Sequence, residues 1–208
     1  MFRHDTTTAL TDRLIMDQIG RGNRVLDLGC GDGRLLCRLR DEADCSVQGI
    51  ELDHRGVVEA ISKGMPVIQS DLDKGLEEIP ENSFDFAVLS QTLQQVRHPQ
   101  NLLQQMLRVA KRVVVLVPNY GHWRIRLQIL LHGRAPVTGS LPYDWFNTPN
   151  LHFMSMLDFR DLCQRMRIRI ASEIPIIHGQ AANGAWGANV RADSALYVLE
   201  READDVLS

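Results

Sequence analysis

The sequence predicts an α/β fold in which a single doubly wound, mostly parallel sheet of seven strands ends in an antiparallel C-terminal hairpin. Short apolar runs typical of strands alternate with longer segments of helical periodicity, at the spacing that parallel crossovers require. A glycine-rich turn follows the first of these runs, at the position where such sheets bind a ligand. The last two strand-like runs are separated only by a loop without helical pattern, which favours antiparallel pairing.

The individual elements follow from the periodicity along the chain. Leu10, Leu14, Ile15 and Ile19 share one face of a helix and predict an amphipathic first helix. The helices predicted after it cover about 33–41, 57–62 and 102–107. The predicted strands cover residues 24–28, 46–52, 66–69, 84–90, 113–117, 168–177 and 195–200.

Length, composition and charge exclude several classes of protein. The 208 residues fit one domain, so we expect residues 1–208 to form a single unit. A net charge of −3 disfavours nucleic-acid binding, and no apolar run approaches the ~20 residues of a membrane span. The first residues lack the apolar core of a secretory signal, which predicts a cytoplasmic location. The four cysteines show no CxxC spacing, which predicts free thiols and no metal site.

The middle third of the chain is basic. No acid occurs between Asp85 and Asp144. Two interpretations stay open: solvated helix faces whose acidic neighbours come from elsewhere in the fold, or a dedicated surface for an anion or a partner. The positive residues of this segment are Arg97, Arg108, Lys111, Arg112, Arg124, Arg126 and Arg134.

Residues 25–33, VLDLGCGDG, place an acid and three alternate glycines at the end of the first strand. Glycine lets the backbone turn sharply and lets a ligand lie against the main chain. The dinucleotide form GxGxxG would need glycine at Arg34, which disfavours NAD. Glu51 ends the second strand, where its carboxylate can accept hydrogen bonds from the two hydroxyls of a ribose. Asp71, after the third strand, can accept a hydrogen bond from an adenine amine, and Leu72 can cover the adenine ring. Three loops therefore converge on a nucleoside ligand.

The segment DLGCGDG at 27–33, with Glu51 and Asp71, resembles the cofactor-binding set of class I S-adenosylmethionine-dependent methyltransferases. The resemblance implies that Asp27 orients the aminoacyl end of S-adenosylmethionine or S-adenosylhomocysteine, that Glu51 holds the ribose and that Asp71 holds the adenine amine. The structural alternatives are a strand-end turn, a place beside a helix N-cap and an Asx turn, respectively. The implied cofactor-binding residues are Asp27, Gly29, Cys30, Gly31, Gly33, Glu51, Leu52, Asp71, Leu72 and Ser90.

The second half of the chain resembles a narrower family, the MetW proteins of methionine biosynthesis. Residues 117–163 and the segment SQTLQQV after the fourth strand carry this likeness, which with the first half covers nearly the whole chain. It implies pairing with a homoserine O-acyltransferase of the MetX type. Aromatic residues and histidines gathered around three prolines predict a lid-like insertion at about 119–153, above the cofactor's methyl group.

Two functions therefore compete at the level of sequence. The favoured one is a methionine-biosynthesis protein that binds S-adenosylmethionine or S-adenosylhomocysteine and supports the acyltransferase as a partner or regulatory subunit. The other is an active methyltransferase on an unidentified small acceptor, for which His122, Tyr143 and His152 are the candidates for a base. Packing and hydrogen bonding are the alternative role for these three residues.

Overall fold

A mixed sheet with helices on both faces forms the centre of the computed structural model, which describes residues 2–138, 141, 143–182 and 186–202. The strands are β1 Arg24–Leu28, β2 Ser46–Glu51, β3 Val67–Gln69, β4 Phe84–Ser90, β5 Ala110–Pro118, β6 Ile168–Ile177, β7 Gln180–Ala181 and β8 Ser194–Arg201. The helices are α1 Phe2–Ile19, α2 Arg34–Ala43, α3 His54–Ser62, α4 Pro99–Val109, α5 Trp123–His132, α6 Met156–Arg165 and α7 Ala188–Arg191. Short 3₁₀ turns cover Leu72–Lys74 and Leu93–Gln95.

The strand order is β3-β2-β1-β4-β5-β8-β6-β7. Strands β1 to β5 pair in parallel, and β8 runs antiparallel between β5 and β6. The order reverses beside β1, which pairs with β2 on one side and with β4 on the other. Because doubly wound sheets bind ligands at such a switch point, beyond the carboxyl ends of the strands, the fold directs attention to the residues that follow Leu28.

Alternation along β1 divides the core into two layers. Val25 faces a layer that holds α1 and α2, while Leu26 and Leu28 face a layer that holds α4 and α6. All three side chains are fully buried. A strand covered on both faces reads as a continuous apolar run, which explains why Asp27 stands out in it.

The fold class predicted from the sequence is confirmed, and one strand is added to it. The additional strand is the two-residue β7, which pairs with the end of β6. The expectation that the loop before β8 has no helix was wrong, because α7 lies there. The Asn119 side-chain amide donates to the carbonyls of Asn189 and Ala192, at 2.9 and 2.8 Å, so a distant residue holds this short helix in place.

The segment predicted as a lid begins with helix α5, which apolar periodicity did not predict. Ile125 is its one buried residue among those that the structure describes, so its pattern differs from that of a core-facing helix. Residues 139, 140 and 142 of the predicted lid lie outside the described residues. Across the described part of the chain, every helix is too short or too polar to cross a membrane.

Candidate functional site

The turn after β1 is built from glycines with left-handed backbone. Gly29, Gly31 and Gly33 have φ angles of 74°, 54° and 74°. The N–H groups of Gly29 and Cys30 both donate to the carbonyl of Ile50, at 2.8 and 3.1 Å, which ties the turn to the end of β2. Left-handed backbone favours glycine, so the conformation explains the alternate spacing.

The three glycines meet different surroundings. A Cβ on Gly31 would meet no atom within 4 Å, so this residue faces open space. A Cβ on Gly29 would lie 2.7 Å from the Thr92 hydroxyl, and one on Gly33 would lie 2.9 Å from the Cβ of Ala60. Gly31 therefore leaves room for a ligand, whereas Gly29 and Gly33 let neighbouring segments pack closely against the turn.

Cys30 contributes its backbone to the turn and its side chain to the core. The thiol is buried in a cluster with Leu36, Ala60 and Met65. This burial raises the pKa of Cys30 to about 12, so the sulfur stays a neutral thiol. The buried Cys30 side chain and the close packing at Gly33 thus support the turn from the core.

Glu51 joins the end of β2 to the glycine turn. One of its carboxylate oxygens accepts the N–H of Gly31 at 2.8 Å. The other oxygen accepts the N–H groups of Leu52 and Asp53, each at 2.8 Å. A carboxylate has about four acceptor positions, so one remains available for a ligand hydroxyl.

Asp27 is the most unusual polar residue of the site. It is only 3% exposed, and no donor from the described residues forms a hydrogen bond with its carboxylate. Burial, with a smaller contribution from the negative charge of Glu51, raises the pKa of Asp27 to about 7. Because a buried acid without donors is costly, this position calls for a cationic or hydrogen-bonding partner.

The remaining residues of the implied cofactor set lie along neighbouring loops. Asp71 caps the first 3₁₀ turn, and one of its oxygens accepts the N–H of Asp73 at 3.0 Å, which is the Asx-turn geometry. Leu72 is buried in the core, whereas Leu52 is 60% exposed beside Glu51. Ser90 ends β4 and is half-buried. Within this set, the Leu52 side chain is exposed and Asp71 is half-buried.

The segment after β4 contributes residues that the sequence analysis did not select. Thr92 packs against Gly29, and its hydroxyl donates to the Ser90 carbonyl at 3.1 Å. Gln94 is buried, and its side-chain carbonyl has no hydrogen-bond partner among the described residues. The polar run SQTLQQV directly after an apolar strand was the available signal for both residues.

His122 acts as the N-cap of α5. Its Nδ1 accepts the N–H of Arg124 at 3.1 Å, while its buried Nε2 has no hydrogen-bond partner among the described residues and lies 3.7 Å from a carboxylate oxygen of Asp193. The ring is buried, and this burial lowers the pKa of His122, so the imidazole is neutral with its proton on Nε2. This geometry gives the residue a structural role at the start of the helix.

Tyr143 and His152 occupy different environments from His122. Tyr143 is exposed. The backbone N–H of His152 donates to the Gln94 carbonyl at 3.0 Å, while its ring Nε2 is buried without a partner among the described residues. No hydrogen bond or ring contact joins the three base candidates in the described part of the chain. They do not form a preassembled catalytic group.

Known proteins resemble this chain over most of its length. The family described as methionine biosynthesis protein MetW matches residues 11–199. A bifunctional methionine biosynthesis protein MetXA/MetW from Rhodopirellula baltica is 32% identical over 95% of this chain. The match covers 34% of that relative, so the chain spans about a third of its length. A 27-O-demethylrifamycin SV methyltransferase from Amycolatopsis mediterranei is 29% identical over 51% of the chain and 42% of its own length.

A solved structure shares the fold at low identity. An S-adenosylmethionine-dependent methyltransferase from Mesorhizobium loti superposes with a TM-score of 0.66 at 20% identity, over 92% of this chain and 96% of that one. The architecture is therefore that of class I methyltransferases, with the glycine turn, Glu51 and Asp27 at the carboxyl edge of the sheet. On the match over residues 11–199, the chain belongs to the MetW family of methionine-biosynthesis proteins.

Proposed function

We propose that this protein binds S-adenosylmethionine or S-adenosylhomocysteine at the glycine turn and supports a homoserine O-acyltransferase of the MetX type in methionine biosynthesis. The observation that carries the cofactor half is the buried carboxyl group of Asp27, which accepts no hydrogen bond from the described residues, four residues before Gly31 with its open surroundings. A ligand that combines an ammonium group with a nucleoside matches this arrangement. Four reduced, mostly buried cysteines fit the cytoplasmic location expected from the sequence.

Each polar group of the site has a role that its geometry supports. Asp27 would accept a hydrogen bond from the ligand ammonium, which would also supply the charge that its burial leaves unmet. Glu51 is held by three backbone N–H groups and would accept from a ribose hydroxyl without moving. The free oxygen of Asp71 would accept from the adenine amine. When bound, S-adenosylmethionine supplies an electrophilic methyl group on a sulfonium.

The partnership half is supported by the bifunctional relative. That protein joins MetXA and MetW in one polypeptide, and 34% of its length corresponds to this chain. A fusion keeps two proteins permanently close, which favours joint action of their separate counterparts. S-adenosylmethionine is made from methionine, so a subunit that binds it beside the acyltransferase can report the product of the pathway to an early step.

The two halves are tested separately with purified protein. Titration calorimetry with S-adenosylmethionine and S-adenosylhomocysteine should give saturable heat for at least one ligand, and silence with both would contradict cofactor binding. The purified acyltransferase of the same organism should form a complex with this protein and gain activity or stability from it. An acyltransferase that elutes alone and works equally well without this protein would contradict the partnership.

Methyl transfer is the second candidate function, favoured by the similarity to a rifamycin-pathway methyltransferase over half the chain. It requires an acceptor placed in line with the sulfonium, and for a poor nucleophile also a base. Release of S-adenosylhomocysteine from bound S-adenosylmethionine, on addition of fractionated cell metabolites, tests it. Continued binding without release across all fractions would leave the partner role as the better account.

A further inference from the structure

We infer that the exposed apolar face of α5 is the surface on which the acyltransferase partner docks. This inference rests on the partnership proposed above and adds the location and chemistry of the contact. The docking face consists of Trp123, Leu127, Leu130 and Leu131. The expected counterpart on the acyltransferase is an apolar groove with an acidic rim.

The docking face has the geometry of a helix that packs against another protein. Its residues follow the spacing i, i+4, i+7 and i+8, which places them on one side of the helix. Leu130 and Leu131 are 80% and 66% exposed. Such spacing normally marks the side of a helix that faces the core, yet here the buried residue is Ile125 on the opposite side. A stripe of large apolar side chains turned toward solvent indicates a binding surface.

The helix is held rigidly enough to present this face. His122 caps its N-terminus, and Gly133 closes its C-terminus in left-handed conformation, where its N–H donates to the Ile129 carbonyl at 2.8 Å. The Arg126 Nε donates to the Gly121 carbonyl at 2.7 Å. Asn119, just before the helix, accepts the Gly121 N–H at 2.9 Å. A preformed helix loses little conformational entropy on docking, which favours affinity.

The charges around the docking face select the kind of partner. Arg124, Arg126 and Arg134 are exposed, and no ion pair involving them is found among the described residues. The Arg124 guanidinium lies 5.4 Å from the Trp123 ring centroid, so charge and aromatic surface are presented together. No acid occurs in the sequence from 86 to 143, so α5 carries no acid of its own. Tryptophan and arginine are also the residue types enriched among energetically dominant interface residues.

The same charges argue against a second copy of this chain as the occupant. A two-fold contact places equivalent surfaces against each other. Arg124 and Arg126 of one copy would then approach the same arginines of the other, without intervening acids on α5. The bifunctional relative, in contrast, supplies an acyltransferase-type occupant in the same polypeptide as its MetW part. A hetero-complex with an acidic partner surface therefore fits the face better than self-association.

The test compares three variants by titration calorimetry against the purified acyltransferase of the same organism. Leu130→Glu introduces a good helix former at an exposed position of the face and should weaken binding at least about tenfold. Ile61→Glu on α3 changes an apolar residue that is 54% exposed away from this face, and its affinity should stay within about twofold of wild type. Arg124→Glu suits the first turn of a helix and should weaken binding about threefold at low salt, with less loss at high salt.

The outcomes distinguish an error in the docking face from a failure of the proposed partnership. Cofactor binding and thermal unfolding of all three variants should match wild type, which shows that the fold is intact. If the wild type binds the acyltransferase and Leu130→Glu binds equally well, the partnership stands and this face is wrong. If the wild type forms no complex, the partnership itself fails and the inference falls with it. A wild-type dimer that Leu130→Glu dissolves, or binding to anionic vesicles that it abolishes, would assign the face to another occupant.

Discussion

The glycine turn and helix α5 lie after β1 and β5 of the same sheet, yet they leave opposite kinds of group without a partner. At the turn, backbone N–H groups occupy most acceptor positions of Glu51, the Cys30 side chain is buried, and the group without a partner is the carboxyl of Asp27. At α5, His122 Nδ1 and the Asn119 side chain are bonded within the protein. His122 Nε2 is buried without a hydrogen-bond partner among the described residues, and the exposed groups left without a partner are apolar. An unmet buried charge calls for a small polar ligand, whereas an unmet apolar face calls for a macromolecular surface.

The largest effect is expected from a substitution that disrupts the glycine turn and leaves α5 unchanged. Gly31→Val places a branched side chain where the structure has open space, so it should weaken cofactor binding at least about 100-fold by overlap with the ligand. Gly22→Val is the matched control, because Gly22 has φ 72° and equally open surroundings, but precedes β1 at the opposite edge of the sheet. Calorimetry that finds equal losses in both variants would attribute the effect to backbone strain alone.

The second prediction concerns the acid at the turn. In the free protein, the native carboxyl of Asp27 keeps its proton up to about pH 7, whereas the unfolded one ionises near 3.8. The unfolding free energy should therefore fall as pH rises from about 4 to 7, by up to ~4 kcal/mol, and then level off. Asp27→Asn should remove this dependence and make the free protein more stable above pH 7. Chemical denaturation across this pH range measures it.

Cofactor binding should depend on pH in the opposite direction to the unfolding free energy, through the same residue, Asp27. A ligand ammonium favours the ionised carboxylate, so wild-type affinity should increase between pH 5.5 and 7, while Asp27→Asn should bind at least about tenfold more weakly and without that slope. A stabilised variant with weakened binding would distinguish a ligand-binding acid from a structural one. Equal affinity of the two proteins at pH 7.5 would remove Asp27 from the site.

The turn was predictable from sequence because its signals are local. The alternate glycines, the acid within an apolar strand and the acid 20 residues past Gly31 are all read from short spacings. The different tasks of the glycines were not predictable, since Ala60 and Thr92, which meet Gly33 and Gly29, come from other elements. The burial of Leu72 in the core likewise depends on side chains from distant strands and helices.

The α5 side was harder to predict for a physical reason. Periodicity identifies helices through the face that they bury, and α5 buries only Ile125 among the described residues. The segment was therefore predicted as a lid from its aromatic residues, histidines and prolines, without a helix in it. Helix α7 was missed because four residues are too few for a pattern, and the bonds that hold it come from Asn119, about 70 positions away.

The third prediction sharpens the structural assignment of His122. His122→Ala removes the cap of α5 and should lower the unfolding free energy by about 1 kcal/mol, whereas His122→Asn should restore most of it, because asparagine is a strong N-cap. Cofactor affinity should stay within about twofold of wild type in both variants. If His122→Asn keeps the stability but abolishes measurable release of S-adenosylhomocysteine, His122 would have a catalytic role after all.

The smallest expected effect connects the two regions. Residues 91–94 lie between them: Thr92 packs against Gly29, and the Gln94 carbonyl accepts the N–H groups of Leu151 and His152 at 2.8 and 3.0 Å. Ordering of the turn by cofactor can therefore alter the segment that follows α5. We expect saturating S-adenosylmethionine to change acyltransferase affinity about threefold, which corresponds to a coupling free energy of about 0.6 kcal/mol.

Thermodynamic linkage gives this last prediction a quantitative test. If cofactor changes partner affinity by some factor, the partner must change cofactor affinity by the same factor. Leu130→Glu and Arg124→Glu, both at exposed positions on α5, should weaken the complex and leave cofactor affinity of the free protein unchanged. Calorimetry in both directions measures the two factors independently. If partner affinity is identical at zero and saturating cofactor, α5 is a scaffold contact only. The complex then does not sense the cofactor, because two sites that do not change each other's affinity are not coupled.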